Sequence, residues 1–453
     1  MRTTLGFYGG VGSVTGANFL VDTGGIAILI DCGLQQGRGP TAEINAQPFP
    51  YNPQDIDTLL VTHAHADHIG RIPKLLHDGF TGTIYSTPPT KALAAVMMKD
   101  AYHIMQMEHE EYGTELWYDE ADVHQAFSQW KTIGYDEWRP LRDGVSMQFT
   151  DAGHILGSAM VHLRRNERTL VCTGDVGNVP QPLMAPPKIP SGHQYLITES
   201  VYGDRQHEAV AERSALLRTH IENTRKKGGT LIIPAFSLER TQSMLYEINN
   251  FIEEDGMEPL PVFLDSPLAI EVTDIYRRYP SYMNQAAQER LRHDDDLFGF
   301  PGFKATNSVR DSRAIHQTEG AKIIIAGSGM SHGGRIRSHE QEYLNNPKTT
   351  LLLVGHQVVG SLGRRLQDGA KHVDIDGQRI PVQAEVATIR GFSGHADRDQ
   401  LLEVAAGGAD SLEQVFVAMG EEKSSLFLTQ RIHDYLALPA VVPEENQEII
   451  IDL

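Results

Sequence analysis

Apolar residues along this chain gather into short runs, rich in branched side chains, that stop at Gly, Asp or His. In the N-terminal part these are Ile26 to Asp31 (IAILID), Leu59 to Thr62 (LLVT), Thr169 to Thr173 (TLVCT) and Tyr195 to Thr198 (YLIT). Runs of this length and composition predict buried strands, and the residue that ends each one predicts a turn. A longer stretch, Pro88 to Glu110, predicts a helix between two of them. From about residue 205 strand and helix alternate more regularly. Thr230 to Ala235 leads into a helix over Arg240 to Glu253, and Pro261 to Asp265 into one over Leu268 to Tyr279. Lys322 to Ala326 precedes a Gly-rich turn and a polar helix through Tyr343, and Thr349 to Val354 follows. Repeated strand–helix units predict a parallel sheet flanked by helices. Residues 281–320 are polar and irregular and read as a connection within this region. After about residue 365 the pattern returns to hairpin-like strands, Lys371 to Val386, and one more strand–helix pair. The chain thus divides into residues 1–205, an inserted α/β domain over 206–364, and a return to the first domain over 365–453.

Composition narrows the class without naming a chemistry. Hydrophobic residues at 40% and charged residues at 22% describe a globular protein. No apolar run approaches the ~20 residues that span a bilayer, so no membrane role is expected. Cys32 and Cys172 each lie inside a strand-like run, which suggests a reducing compartment without a disulfide framework, with the cytoplasm as the default. The net charge of −20 argues against broad coating of nucleic acid through its phosphates and is compatible with a local basic cleft.

The chemistry begins at VTHAHADHIG, where an apolar strand runs into His63, His65, Asp67 and His68. Imidazole and carboxylate are the donors that suit zinc and related divalent ions. In a tight loop after a strand, His63 and His65 can face one ion while Asp67 and His68 turn to a second. A polar loop enriched in histidine by chance is the weaker alternative, because four donors fall within six residues. One short loop hardly closes two ligand shells, so distant donors are needed. His154 in DAGHILGSA and Asp175 in TGDVGN are the candidates, each where an apolar or Gly-rich segment turns. A carboxylate at such a point can bridge the two ions of a catalytic pair. Asp31, which ends IAILID, is expected to orient a ligand histidine by hydrogen bond. A plain strand-end aspartate is the alternative there.

HAHADH, with Asp31 before it and His154 and Asp175 after it in that order, resembles the metallo-β-lactamase superfamily. Glu199 in ITESVYGD, then a long α/β insert, then His395 in GFSGHAD extend the resemblance to the β-CASP branch. Supporting stretches are GGVGSVTGANFL, PAFSLERTQ, LDSPLA, GSGMSHGGRI and VPEENQEI, so the resemblance covers essentially the whole chain. It implies an α/β fold: an αββα sandwich interrupted by a β-CASP domain with a mainly parallel sheet, which caps the edge of the sandwich to form a cleft. The branch is known for nucleases, mostly acting on RNA. By that resemblance His63, His65 and His154 would hold a first zinc and Asp67 and His68 a second, with Asp175 bridging and Mn2+ as another usable ion. Metal-activated water would attack phosphorus, with Asp67 counted among the catalytic groups. His395 would act as general acid and Glu199 would fix its tautomer.

One position departs from the pattern. Nucleases of the branch usually carry a last zinc-binding histidine in a segment like VHGE, and the corresponding VFVAMGE has Met419 in its place. A thioether is a poor match for zinc among oxygen and nitrogen donors, so the second site is expected to bind more weakly. Substrate phosphates are expected to meet the insert at Arg240 and Thr241, at Ser328 and Gly329 in the Gly-rich turn, at Arg335 and Arg337, and at Arg364 with Arg365. Amides of a Gly-rich turn at a helix start bind anions readily, whereas surface arginines paired with carboxylates are the alternative. The leading expectation is zinc-dependent hydrolysis of single-stranded RNA, internally or from the 5′ end. A DNA or other phosphodiester hydrolase, or a metal-poor scaffold binding RNA or protein, are the alternatives. A homodimer or a protein partner stays open, and no appended RNA-binding module is expected.

Overall fold

The computed structural model describes residues 2–36, 41–207, 210–293, 296–355, 357–358, 360–389 and 391–453. They form two compact units, one running to Gln206 and resuming over His395–Leu453, the other His207–Gly394.

The first unit is built on two seven-stranded sheets. One has the order Gln447–Asp452, Arg2–Gly9, Asn18–Asp22, Ala27–Ile30, Thr58–Leu60, Thr83–Ser86, Trp130–Thr132. The other runs Ala440–Val441, Gln414–Val417, Tyr195–Thr198, Arg168–Cys172, Ala159–Arg165, Val145–Asp151, Arg139–Pro140. Phe7, Phe19, Ile28 and Ile30 of the first sheet share a core with Phe149, Val161, Leu170 and Phe416 of the second. The rings of Phe7 and Phe416 meet at 5.4 Å. Burying each such side chain contributes roughly 1.5–3 kcal/mol, which makes this interlayer the main stabilising element of the unit. The outer face of the second sheet is covered as well: Leu401, Val404, Leu428 and Ile432 of helices Arg398–Ala406 and Glu422–Leu436 pack on Val171, Leu196, Val415 and Val417. Tyr195–Thr198 is buried throughout, as suits a strand covered on both faces that pairs in parallel with both neighbours. Beside the first sheet lies the helix Pro88–Tyr112. Thr87 caps its start, prolines occupy its first turn, and Gly113 ends it in the left-handed conformation at φ 69°. The arrangement is the αββα sandwich.

The second unit carries six strands, all parallel, in the order Phe303–Ala305, Val262–Leu264, Lys322–Ala326, Thr230–Pro234, Thr350–Val354, Glu385–Ile389. Two expectations are corrected here. Residues 281–320 are not merely a connection: they supply the helices Gln285–Arg290 and Val309–Ala314 and the edge strand Phe303–Ala305. That strand is too short and polar to register as one until it pairs with Val262–Leu264. The chain also returns to the first unit at His395, not near 365. The hairpin of His372–Ile375 and Gln378–Pro381 puts Val373 and Ile375 into the core of the second unit, and Glu385–Ile389 extends its sheet. Among the described residues no helix is long and apolar enough to cross a membrane.

Candidate metal centre

The strands of the first unit end where the chemistry is. His63 follows Thr58–Leu60, Asp31 follows Ala27–Ile30, His154 follows Val145–Asp151, Asp175 follows Arg168–Cys172 and Glu199 follows Tyr195–Thr198. His65 precedes the single-turn helix Ala66–Ile69, which carries Asp67 and His68. Backbone bonds clamp this turn: the amides of Ala17, Cys32 and Leu34 donate to the carbonyls of Asp67, His68 and Ala66 at 2.9, 2.8 and 3.0 Å. Gly33 passes so close that a Cβ there would lie 1.5 Å from the Asp67 carbonyl oxygen, so no larger residue fits.

Asp31 is buried and adopts φ 58°, an uncommon conformation for a residue with a side chain. Its bonds hold it there. Oδ1 accepts from the Thr62 amide at 2.8 Å, and Oδ2 accepts from Thr62 Oγ1 and meets His68 Nδ1, both at 2.7 Å. With Nδ1 engaged, His68 presents Nε2 to the interior. That atom is buried without a hydrogen-bond partner, as is Asp175 Oδ1, and the two lie 3.3 Å apart.

Four donor atoms converge on the other side of Asp175. His63 Nε2 is 3.0 Å from His65 Nδ1, which is 3.2 Å from His154 Nε2; Asp175 Oδ2 lies 3.4 Å from His63 Nε2 and 3.5 Å from His154 Nε2. A tetrahedral zinc site with ligand distances of about 2.0–2.1 Å has donor-to-donor edges of about 3.3–3.4 Å. The cluster has that spacing. On the Oδ1 side the donors are His68 Nε2 and, 3.9 Å from it, Asp67 Oδ2. Buried polar atoms without partners are costly, and a cation on the Oδ1 side of Asp175 would satisfy His68 Nε2 and Oδ1. The residues therefore fit divalent metal.

His154 is positioned by its own loop. Ser158 Oγ accepts from the amides of His154 and Ile155 at 3.0 and 3.2 Å, and Gln181 Nε2 donates to the carbonyls of Gly153 and His154 at 3.0 and 3.3 Å. His395 Nδ1 lies 3.2 Å from Glu199 Oε1 and 3.8 Å from Asp175 Oδ2, and its ring centre is 4.6 Å from that of His154. Glu199 is fixed by the amides of Val176 at 2.7 Å and Val201 at 3.3 Å.

Charge follows this geometry. Burial pushes His63 and His65 well below the usual histidine range, so both rings are neutral, the form that binds metal. Burial alone would raise Asp175, but His68, His63 and His395 outweigh it and hold the carboxylate well below its usual range. Burial raises Asp67 to about 6. For His395 burial opposes the charged form, yet the Glu199 and Asp175 carboxylates prevail and raise it to about 10.

Met419 occupies the remaining wall. It is buried at φ 44°, its amide donates to the Gly10 carbonyl at 2.6 Å, and its carbonyl accepts from the Ser200 amide at 3.1 Å. Its side chain belongs to the core between the sheets and borders an apolar recess with Phe19, Ile197, His68 and Glu199.

Sequence reasoning missed Thr62, Ser158 and Gln181, which hold the donors without being donors. Thr62 directly precedes His63 and so carried a positional hint; Gln181 carried none. The expected phosphate contacts of the insert lie in the second unit, and internal partners engage them. Arg240 is buried, with Nη1 donating to the Val354 carbonyl at 2.7 Å and Nε to Glu239 at 3.3 Å. Thr241 Oγ1 donates to the Phe236 carbonyl at 2.8 Å. Ser328 Oγ accepts from the amides of His332 and Gly333, and the Gly329 carbonyl accepts from Gln357. Arg335 pairs with buried Asp265 at 2.7 Å, Arg337 with Asp376 at 2.5 Å and Arg364 with Asp368 at 2.9 Å. These side chains build the loops, and Arg365 is the exposed member of the set.

Comparisons with known proteins agree with this architecture. Residues 20–178 match the metallo-beta-lactamase superfamily domain, 241–366 the Beta-Casp domain, and 379–443 the Zn-dependent metallo-hydrolase RNA specificity domain. The chain is 34% identical to Ribonuclease TTHA0252 of Thermus thermophilus over 93% of its own length and 94% of that protein. It is 30% identical to the transcription termination factor FttA of Methanosarcina mazei over 95% of its own length and 69% of that protein. A crystal structure of a protein of unknown function from Enterococcus faecalis V583 aligns over the whole of both chains at a TM-score of 0.56 and 11% identity, a likeness of fold.

Proposed function

The chain belongs to the β-CASP family of metallo-β-lactamase-fold ribonucleases, and on that premise we propose that it hydrolyses phosphodiester bonds of single-stranded RNA using zinc. The observation that carries this reading is the convergence of His63 Nε2, His65 Nδ1, His154 Nε2 and Asp175 Oδ2 at tetrahedral spacing, beside a second, sparser donor set. His63, His65, His154 and Asp175 would hold the first ion; Asp67, His68 and the other oxygen of Asp175 would hold a weaker second one. When bound, such ions supply activation of water near neutral pH and compensation of phosphoryl charge. Asp31 keeps the His68 ring aligned through Nδ1. Glu199 likewise engages Nδ1 of His395, so the proton for the leaving oxygen departs from Nε2. The two buried free cysteines fit a reducing compartment, and we place the protein in the cytoplasm.

End-labelled single-stranded RNA incubated with zinc-loaded protein tests the reading. Cleavage by the wild type is expected to stop with a chelator and in Asp175→Ala. His395→Ala should lower kcat by about 10²–10⁴-fold while retaining metal. No cleavage by the wild type with either zinc or manganese, or cleavage that survives Asp175→Ala, would overturn it.

A further inference from the structure

At the carboxyl end of the parallel sheet in the second unit, three loops from adjacent strands meet: 235–237 after Thr230–Pro234, 265–266 after Val262–Leu264, and 327–329 after Lys322–Ala326. This edge is where open parallel sheets bind ligands. Phe236 is 45% exposed there, although its neighbours Ala235 and Leu238 are buried. Among the described residues it is the one exposed Phe, Tyr or Trp side chain of this unit. Its ring lies across Gly329: a Cβ on that glycine would sit 2.8 and 2.9 Å from two ring carbons. Beside it, Ser237 and Ser266 hydroxyls lie 3.4 Å apart, and a Cβ on Gly327 would be 3.6 and 3.7 Å from them.

The backbone that carries this ring is held in place. The Phe236 carbonyl accepts from the amide and the hydroxyl of Thr241 at 3.3 and 2.8 Å. The Ser237 carbonyl accepts from Gln242, which is anchored on Thr273. Glu239 follows at φ 69°, ψ −60°, where the Arg240 amide donates back to the Leu238 carbonyl at 2.9 Å. That is a tight γ-turn, a rare and strained conformation that persists only where its surroundings over-determine it. The Ser243 hydroxyl and Arg240 Nε donate to the Glu239 carboxylate and hold the turn here. A rigid loop, a glycine that accommodates an aromatic ring and a ring left outside the core are not needed for packing. They suit an aromatic face offered to a planar ligand.

Resting on the RNA reading, we propose that Phe236 is a stacking platform for one unpaired base of the substrate, with the Ser237 and Ser266 hydroxyls available to its edge or ribose. Stacking on an aromatic side chain is the sequence-tolerant way to hold a single strand, because every base has a π face. It also suits a chain of net charge −20, whose hold on RNA then depends less on neutralising phosphates. Thr241 and Gln242 are positioning residues for this ring.

Fluorescence anisotropy of a labelled single-stranded RNA on zinc-loaded protein, with kcat and KM for its cleavage, tests the platform. Phe236→Ala and Phe236→Leu should weaken binding and raise KM by about 5- to 100-fold with kcat little changed, and Phe236→Tyr should keep near wild-type values. RNAs carrying a single abasic ribose should show one position whose loss costs the wild type as much as Phe236→Ala does, and costs Phe236→Ala nothing further. Equal affinity of wild type and Phe236→Ala, or full retention by Phe236→Leu, would overturn the platform alone. RNA held through Phe236 and never cut would sink only the hydrolase reading. Wild type that binds no RNA would overturn both.

Discussion

The two oxygens of Asp175 face unequal surroundings. Oδ2 sees three buried or near-buried imidazole nitrogens at tetrahedral spacing, and burial holds two of those rings, His63 and His65, neutral. Oδ1 sees only His68 Nε2 nearby, with Asp67 beyond it and the apolar side of Met419 on the adjoining wall. A closed shell of four donors binds zinc outright, whereas three donors leave the ion dependent on solvent or substrate for the rest. On the proposed reading one carboxylate would thus serve a firmly held ion and a more weakly held one. On that reading the poorer wall, not the donor-rich motif, would limit occupancy.

Removing a donor from each side should break the comparison most sharply. His154→Ala is expected to strip the first ion and reduce activity to background, and His68→Ala to leave close to one equivalent of zinc by elemental analysis after gel filtration. Equal metal loss in the two variants would show that the sides are equivalent. Filling the poor wall comes next. Met419→His should raise the affinity of the second ion by about 10–100-fold and bring zinc content close to two per chain, measured by calorimetric titration. A second binding step that does not tighten would mean that the wall is not what limits this side. The smallest effect belongs to Asp31→Asn, which should weaken the second ion by about tenfold through a less firmly oriented His68 and leave the first step of the titration in place.

The insert supplies a contrast of another kind. Arg335 and Arg240 read as phosphate ligands in a linear sequence, and in the structure they also bond Asp265 and the Val354 carbonyl. Phe236, directly after the strand run Thr230 to Ala235, carried no signal of its own in the sequence and stands in solvent. Side-chain type indicates what a group can bind. Whether it is available depends on partners that lie far along the chain, 70 residues away for Arg335 and Asp265.

The strand runs IAILID, TLVCT and YLIT were legible because both-sided burial leaves an apolar signature in residue order. Arg2–Gly9 and Gln447–Asp452 were not read as strands. They alternate or border solvent, and they become a pair only when the two ends of the chain meet in register. The same holds for Glu385–Ile389, whose place in the insert follows from pairing with Thr350–Val354 and not from its own composition. The sequence by itself determined the donor inventory, because His63, His65, Asp67 and His68 are neighbours and metal affinity is a property of side-chain type. Only the tertiary structure decided which donors share a face, that Asp31 serves His68 across 37 residues and Glu199 serves His395 across 196, and which carboxylates and carbonyls the arginines of the insert meet. Those contacts are long-range, and a hydrogen bond or a ligand shell needs distances and directions that residue order does not contain.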